Sequence, residues 1–207
     1  MLGIIDYGMG NLFSVSKALE RLDIPYFISE DKEKLMEADA LILPGVGAFK
    51  DAMAKLNETG LSDMIREYVN SNKPLLGICL GMQLLFEESE EHGHAEGLHL
   101  LPGKIVRFPG ETADGEKYKV PHMGWNRLQF KKNSDATAGL QDDYVYFVHS
   151  YYAETDDDII IASSDYDKEV PAVVGKGNVY GMQFHPEKSS KLGMELLSGF
   201  TKLIKKG

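Results

Sequence analysis

The single cysteine of the chain, Cys79, sits in Pro74-Leu75-Leu76-Gly77-Ile78-Cys79-Leu80-Gly81-Met82-Gln83, where an apolar run of strand length meets a helix-like segment. Glycines stand two residues to either side of it. A tight strand-to-helix turn forces its central residue into strained backbone geometry and crowds the flanking positions, so the pattern is the thiol counterpart of the G-x-S-x-G elbow. Such a corner lifts the sulfur off the sheet and aims the positive end of an amphipathic helix at it. It places the Leu80 N–H where an oxyanion would form. Taken alone, a cysteine in so apolar a run is equally well a core residue.

A second segment breaks that tie. Val179-Tyr180-Gly181-Met182-Gln183-Phe184-His185-Pro186-Glu187 is a strand ending in His-Pro-Glu. A residue before proline is pushed to extended backbone, so His185 and Glu187, two apart, project to the same side. A carboxylate beside an imidazole fixes its tautomer and stabilises the imidazolium formed when a thiol gives up its proton. A third segment, Leu41-Ile42-Leu43-Pro44-Gly45-Val46-Gly47-Ala48-Phe49, ends a strand in two glycines. It can offer a backbone N–H to developing negative charge, or serve only as a turn. The other histidines read more plainly. His92 and His94, among Glu90, Glu91 and Glu96, lack a third anchored ligand at a diagnostic spacing and read as solvated loop. His149 reads as a core histidine. Neither a metal nor a cofactor is expected.

These groups need a scaffold, and the pattern supplies one. Leu2 to Ile5, Tyr26 to Ser29, Ala40 to Leu43 and Leu75 to Cys79 are short apolar runs separated by helical periodicity, which predicts a mostly parallel sheet flanked by helices. Leu12, Val15, Leu19 and Leu22 mark the first helix, with Pro25 as its stop. In the second half, Lys104 to Phe108, Arg127 to Phe130, Tyr144 to His149, Ile159 to Ser163, Ala172 to Gly175 and Val179 to Phe184 are strand-like with few helices between, a mixed or antiparallel extension. A last helix, Ser190 to Leu203, carries Leu192, Leu196, Leu197 and Phe200 on one face. Ser89 to Gly103 and Pro109 to Lys117 read as irregular surface loops. The expectation is an α/β fold, one domain over 1–207.

Composition excludes several functions. With 43% hydrophobic residues and one cysteine, the core needs no disulfide, and a reducing compartment is expected. A net charge of -10, with no basic run longer than two residues, disfavours nucleic acid and anionic membrane as partners. No window has the apolar length of a membrane span and no basic leader precedes Asp6, so cytoplasmic residence is expected.

On these residues the chain resembles the class I (triad) glutamine amidotransferases. Gly77-x-Cys79-x-Gly81-x-Gln83 and His185-Pro186-Glu187 carry the class. Asp6-Tyr7-Gly8-Met9-Gly10-Asn11-Leu12, Pro44-Gly45-Val46-Gly47 and Lys119-Val120-Pro121-His122-Met123-Gly124-Trp125-Asn126 are similar to the subgroup that serves imidazole glycerol phosphate synthase. The resemblance spans essentially the whole chain. It implies Cys79 as nucleophile, His185 as acid and base, Glu187 as its orienter, and an oxyanion held by Leu80 and the Gly45, Val46, Gly47 strand. It further implies that Gln83, Glu91, Ser150 and Tyr151 contact L-glutamine, with Glu91 meeting the α-ammonium. Trp125, Asn126 and Lys188 would face a partner, a (β/α)8 cyclase subunit that receives the ammonia. The oxyanion strand would be misoriented until that partner is bound and charged. Other readings stay open here: a glutaminase of another synthase, against which the Lys119 to Asn126 block speaks; a stand-alone cysteine hydrolase, which would need no stimulation; and a non-catalytic module, which would not need cysteine, histidine and glutamate together.

Overall fold

A computed structural model describes residues 1–206. In its first part strands and helices alternate: β1 (Leu2–Ile5), α1 (Leu12–Arg21), β2 (Tyr26–Ser29), α2 (Lys32–Glu37), β3 (Ala40–Leu43), α3 (Phe49–Glu58), α4 (Leu61–Asn70) and β4 (Leu75–Ile78). A one-turn α5 (Leu80–Gln83) follows, then β5 (Glu88–Ser89), β6 (Ala95–Glu96), β7 (Lys104–Arg107), β8 (His122–Phe130), β9 (Asp143–His149) and β10 (Tyr151–Glu154). The chain continues through β11 (Ile160–Asp165), β12 (Glu169–Lys176) and β13 (Val179–Met182) to α6 (Ser190–Lys202).

Nine strands form the main sheet in the order β2-β1-β3-β4-β13-β12-β11-β8-β9. From β2 to β13 every neighbour is parallel, and from β13 to β9 every neighbour is antiparallel. The expected parallel core and antiparallel extension are therefore both present. Strands β1, β3 and β4 are buried along their whole length because helices cover both faces. Side-chain alternation sorts them into two cores. Ile5, Leu41, Leu43 and Leu75 pack with Phe49, Leu56, Ile65 and Tyr68 of α3 and α4. Leu2, Ile4, Leu76 and Ile78 pack with Val15, Leu19, Leu196 and Phe200 of α1 and α6.

Two expectations are corrected, and one further strand is found. The first helix does not run on to Pro25. It ends at Arg21, where Asp23 turns to a φ of 52° and the Ile24 N–H closes the turn on the Leu19 carbonyl at 3.0 Å. Ser89 to Gly103 is not simply a loop, because a second sheet in the order β10-β7-β5-β6 organises its ends. Two-residue strands such as β5 and β6 are too short to show alternation in sequence, so their pairing is visible only in the fold. Thirdly, Tyr151–Glu154 is a strand, unexpected because only pairing with Arg107 to Lys104 of β7 defines it.

Phe200 is fully buried on the α6 face, edge-on to Tyr180 with ring centroids 6.2 Å apart. Phe200→Ala should cost about 3–5 kcal/mol of stability in urea denaturation, the range for a phenyl removed from a packed core; a loss below about 1 kcal/mol would contradict this packing.

Candidate active site

β4 delivers Cys79 to the carboxyl end of an interior strand of the sheet, and the chain turns there at φ 55° and ψ -114°. A positive φ is strained for a residue with a side chain, at a cost of roughly 1–3 kcal/mol. The flanking glycines make the turn possible. A Cβ on Gly81 would lie 1.8 Å from the Leu43 carbonyl oxygen, and one on Gly77 would lie 2.5 Å from the Gly81 carbonyl oxygen. The Cys79 N–H is anchored to the Met182 carbonyl at 2.8 Å, which ties the elbow to β13.

The segment after the elbow differs from the expected amphipathic helix. α5 is a single turn, buried on all its residues, because the chain must leave at once to build the second sheet. A macrodipole needs several aligned turns, so the electrostatic contribution reduces to the nearby amides. The Leu80 N–H, first in that turn, has no carbonyl within the helix to receive it.

His185 follows β13 by three residues and is buried beside the elbow, lining the same cleft as Cys79. Its Nδ1 lies 2.8 Å from Glu187 Oε1, and both side chains are almost wholly buried. The expectation that the two share a side holds for a different local reason. His185 is extended, at φ -97° and ψ 96°, but Pro186–Lys188 form a 3-10 turn that swings Glu187 back beneath the ring. Burial on its own would lower the imidazole pKa. The hydrogen bonds to Cys79 and Glu187, with their charges, outweigh it and push His185 up to about 10. The site therefore favours imidazolium at His185.

A cleft of about 370 Å³ opens over the sulfur. It is lined by Val46, Gly47, Cys79, Leu80, Gln83, Glu91, Ser150, Tyr151 and His185 from the expected set, and also by Pro121, Val148 and His149. Gly45 lies just behind: its Cβ would meet the Gly81 nitrogen and the Tyr7 hydroxyl, each at 2.8 Å. Tyr7 in turn donates to the Pro44 carbonyl at 2.8 Å, so the glycine strand is held from both sides. Glu91 reaches the cleft from the β5–β6 connection, and its Oε2 accepts the N–H of Phe49, the first residue of α3, at 3.0 Å. Burial, then the nearby Glu91 charge, raises the Tyr151 phenol pKa. Gln83 Nε2 donates to the Tyr151 carbonyl and to Gln183 Oε1, each at 3.1 Å.

Trp125 is exposed and Lys188 lies at the surface, but Asn126 is half-buried and its amide turns inward. His149, by its sequence a core residue, is buried and also lines the cleft; its place at the last position of β9, directly before the expected Ser150 and Tyr151, is the available signal. The hairpin arm also brings Glu88, His94 and Glu96 together, with potential ligand atoms within 4.8 Å of one another. Glu88 and Glu96 face each other across β5 and β6, a pairing absent from a solvated loop. His94 Nε2 contacts Glu88 Oε2 at 2.6 Å in solvent-exposed surroundings.

The glutamine amidotransferase class-I family model matches residues 4–203. The chain is 64% identical to the imidazole glycerol phosphate synthase subunit HisH of Geobacillus sp. (strain WCH70), over 99% of this chain and 97% of that protein. It is 60% identical to the same-named subunit of Bacillus subtilis (strain 168), over 98% and 96%. Among solved structures it is similar to a glutamine amidotransferase (TM-score 0.76, 24% identity, covering 99% and 98%). It is also similar to the PurLQS structure from Thermotoga maritima (TM-score 0.72, 19% identity, covering 98% and 98%). Both likenesses bear on the fold.

The His185 proton provides a direct check. Cys79→Ala removes the sulfur's influence on the ring but leaves the ring buried, so the His185 pKa, followed by imidazole NMR, should be well below that of the unaltered protein. An unchanged titration would mean that the sulfur does not act on the ring.

Proposed function

The chain belongs to the class-I glutamine amidotransferases, and from that membership we propose that it hydrolyses L-glutamine to glutamate and ammonia and passes the ammonia to the cyclase of an imidazole glycerol phosphate synthase. The observation that carries this reading is the strained Cys79 lining one cleft with His185, whose Nδ1 is held by the buried carboxylate of Glu187 at 2.8 Å.

The Cys79 thiolate adds to the side-chain carbonyl carbon of glutamine, and the carbonyl electrons move onto oxygen. The Leu80 N–H and an N–H from the Gly45 to Gly47 strand receive that oxyanion. As the tetrahedral adduct collapses, the carbon–nitrogen bond breaks and His185 donates its proton to the departing nitrogen, leaving ammonia and a thioester on Cys79. The sulfur is now neutral, so one of the two influences that raised the His185 pKa is gone. The neutral ring can take a proton from water, which attacks the thioester carbon. Glutamate leaves, and the sulfur returns as the anion beside imidazolium. One histidine thus serves as acid and then base because its neighbour's charge changes between the two steps. Gln83, Ser150 and Tyr151 line the substrate side of the cleft, and Glu91 supplies a carboxylate for the α-ammonium.

A partner is needed because ammonia set free in neutral water is protonated and ceases to be a nucleophile; a sealed passage to a second site avoids this. The β8–β9 pair offers the face for such a partner. Met123, Trp125 and Tyr144 are 62%, 54% and 55% exposed, although each is large and apolar or aromatic. Trp125 is paired with Tyr146 and Met123 with Val148, so the apolar surface runs to the rim of the cleft. Lys188 stands at the surface directly after the triad glutamate. Among the described residues no helix is long and apolar enough to cross a membrane.

Three measurements test the reading. Glutamate release should be slow for the isolated chain and rise strongly when the cyclase with its nucleotide ligand is added; fast, unstimulated turnover would favour a stand-alone hydrolase. Cys79→Ala should abolish glutamine hydrolysis while ammonia-dependent synthesis by the complex persists. In a binding titration Trp125→Ala should weaken the complex by about 2 kcal/mol or more, as expected for an aromatic anchor.

A further inference from the structure

His122 and His149 take no part in the chemistry above, yet they are 2% and 6% exposed and joined by a hydrogen bond of 2.9 Å between His122 Nδ1 and His149 Nε2. They are cross-strand partners at the ends of β8 and β9. The direction of that bond is fixed from both of its ends. The Tyr151 carbonyl can only accept, so His149 Nδ1, 2.7 Å away, carries the proton and His149 Nε2 is an acceptor. His122 Nδ1 is then the donor, and His122 Nε2 is an acceptor facing Asn126 Nδ2 at 3.3 Å. The Asn126 amide is oriented independently: its Oδ1 accepts from the Arg127 N–H and its Nδ2 donates to the Asp165 carbonyl, each at 2.8 Å. The same two tautomers follow from either end, and a second proton on either ring would set N–H against N–H. Burial acts in the same sense, lowering His122 to about 4 and His149 to about 3.

This chain of bonds ends at a mechanical joint. His149 is the last residue of β9 in the nine-stranded sheet and Tyr151 the first of β10 in the four-stranded sheet, with Ser150 alone between them. The Tyr151 carbonyl takes its second hydrogen bond from Gln83 Nε2. Phe108 closes the other side, donating its N–H to the Ser150 carbonyl at 3.0 Å and packing its ring 5.2 Å from His149 and 4.7 Å from Tyr152. Gln83, Ser150 and Tyr151 are the residues placed around glutamine above, so the angle at this joint sets the shape of the substrate pocket.

We propose that His122 and His149 are positioning residues: the one-way chain from Asn126 through His122 and His149 to the Tyr151 carbonyl fixes the joint at Ser150 and thereby the fit of glutamine. This rests on the glutaminase reading. His122 does not line the cleft, so it acts on the substrate through His149. Asn126 lies next to Trp125, and the chain therefore begins under the face assigned to the cyclase and ends in the substrate pocket.

The test uses the complex with the cyclase and its nucleotide ligand. His122→Leu removes the donor to His149, whereas His122→Asn returns an N–H at the Nδ1 position. His122→Leu should raise KM for glutamine about tenfold with kcat within about twofold, the scale of one buried hydrogen bond, and His122→Asn should recover most of that loss. Alkylation of Cys79 by iodoacetamide, which needs no glutamine pocket, should be unchanged. In the unaltered protein, ¹⁵N NMR should find both rings neutral and protonated on Nδ1 through neutral pH. The proposal is overturned if His122→Asn is as impaired as His122→Leu, if kcat falls at constant KM, or if either ring carries its proton on Nε2. The tautomer measurement decides the matter even if His122→Leu fails to fold. A wild-type complex unable to hydrolyse glutamine would instead remove the glutaminase reading.

Discussion

The site depends on one steric constraint: the close approach of backbone to backbone where β3 and β4 end. Gly81 sits against the Leu43 carbonyl, Gly77 against the Gly81 carbonyl, and Gly45 against the Gly81 nitrogen. No side chain fits at these points, and their absence lets Cys79 take a positive φ at the crest of the turn. The strain is local, while what sustains it is distributed: the strands beneath are buried throughout, and the Cys79 N–H is fixed to β13. Because the Pro44 to Gly47 segment packs directly on the elbow, the proposed oxyanion donors and the proposed nucleophile share a wall. A shift of the glycine strand is felt at the sulfur without an intermediary.

Electrostatics then gives the corner its chemical character. His185 is buried, which by itself disfavours a charged ring, and the ring is compensated by sulfur on one side and Glu187 on the other. The balance is conditional on the state of the sulfur, which suits a single imidazole to the two opposite proton transfers proposed for it. Glu91 shows the same economy of construction. One of its oxygens is held by the first N–H of α3, so the carboxylate proposed to meet the substrate is oriented by a helix that also packs the core. The nearby buried histidines behave in the contrary way: with neutral partners on every nitrogen, they stay uncharged and serve geometry.

The two sheets divide the work. The nine-stranded sheet carries Cys79, His185 and the exposed β8–β9 face, whereas the four-stranded sheet carries Tyr151 and, through the β5–β6 arm, Glu91. The cleft lies where they meet, and Ser150 is the joint in the chain between them.

Much of this was legible in the residues themselves. Buried parallel strands announce themselves as apolar runs, so β1 to β4 lie where the periodicity placed them, and the G-x-C-x-G spacing is a direct record of the steric crowding at the elbow. His-Pro-Glu likewise carried its pairing, since contact between residues two apart is a local matter. What the tertiary structure alone decided is everything that depends on pairing between distant segments: that the helix after Cys79 stops after one turn, that two-residue strands and Tyr151–Glu154 assemble a second sheet, and that Asn126 turns inward to a pair of buried histidines. A sequence displays the periodicity of a single element because neighbouring residues impose it. The direction of a hydrogen bond between His122 and His149 is set by a carbonyl and an amide that meet only once the sheets have closed.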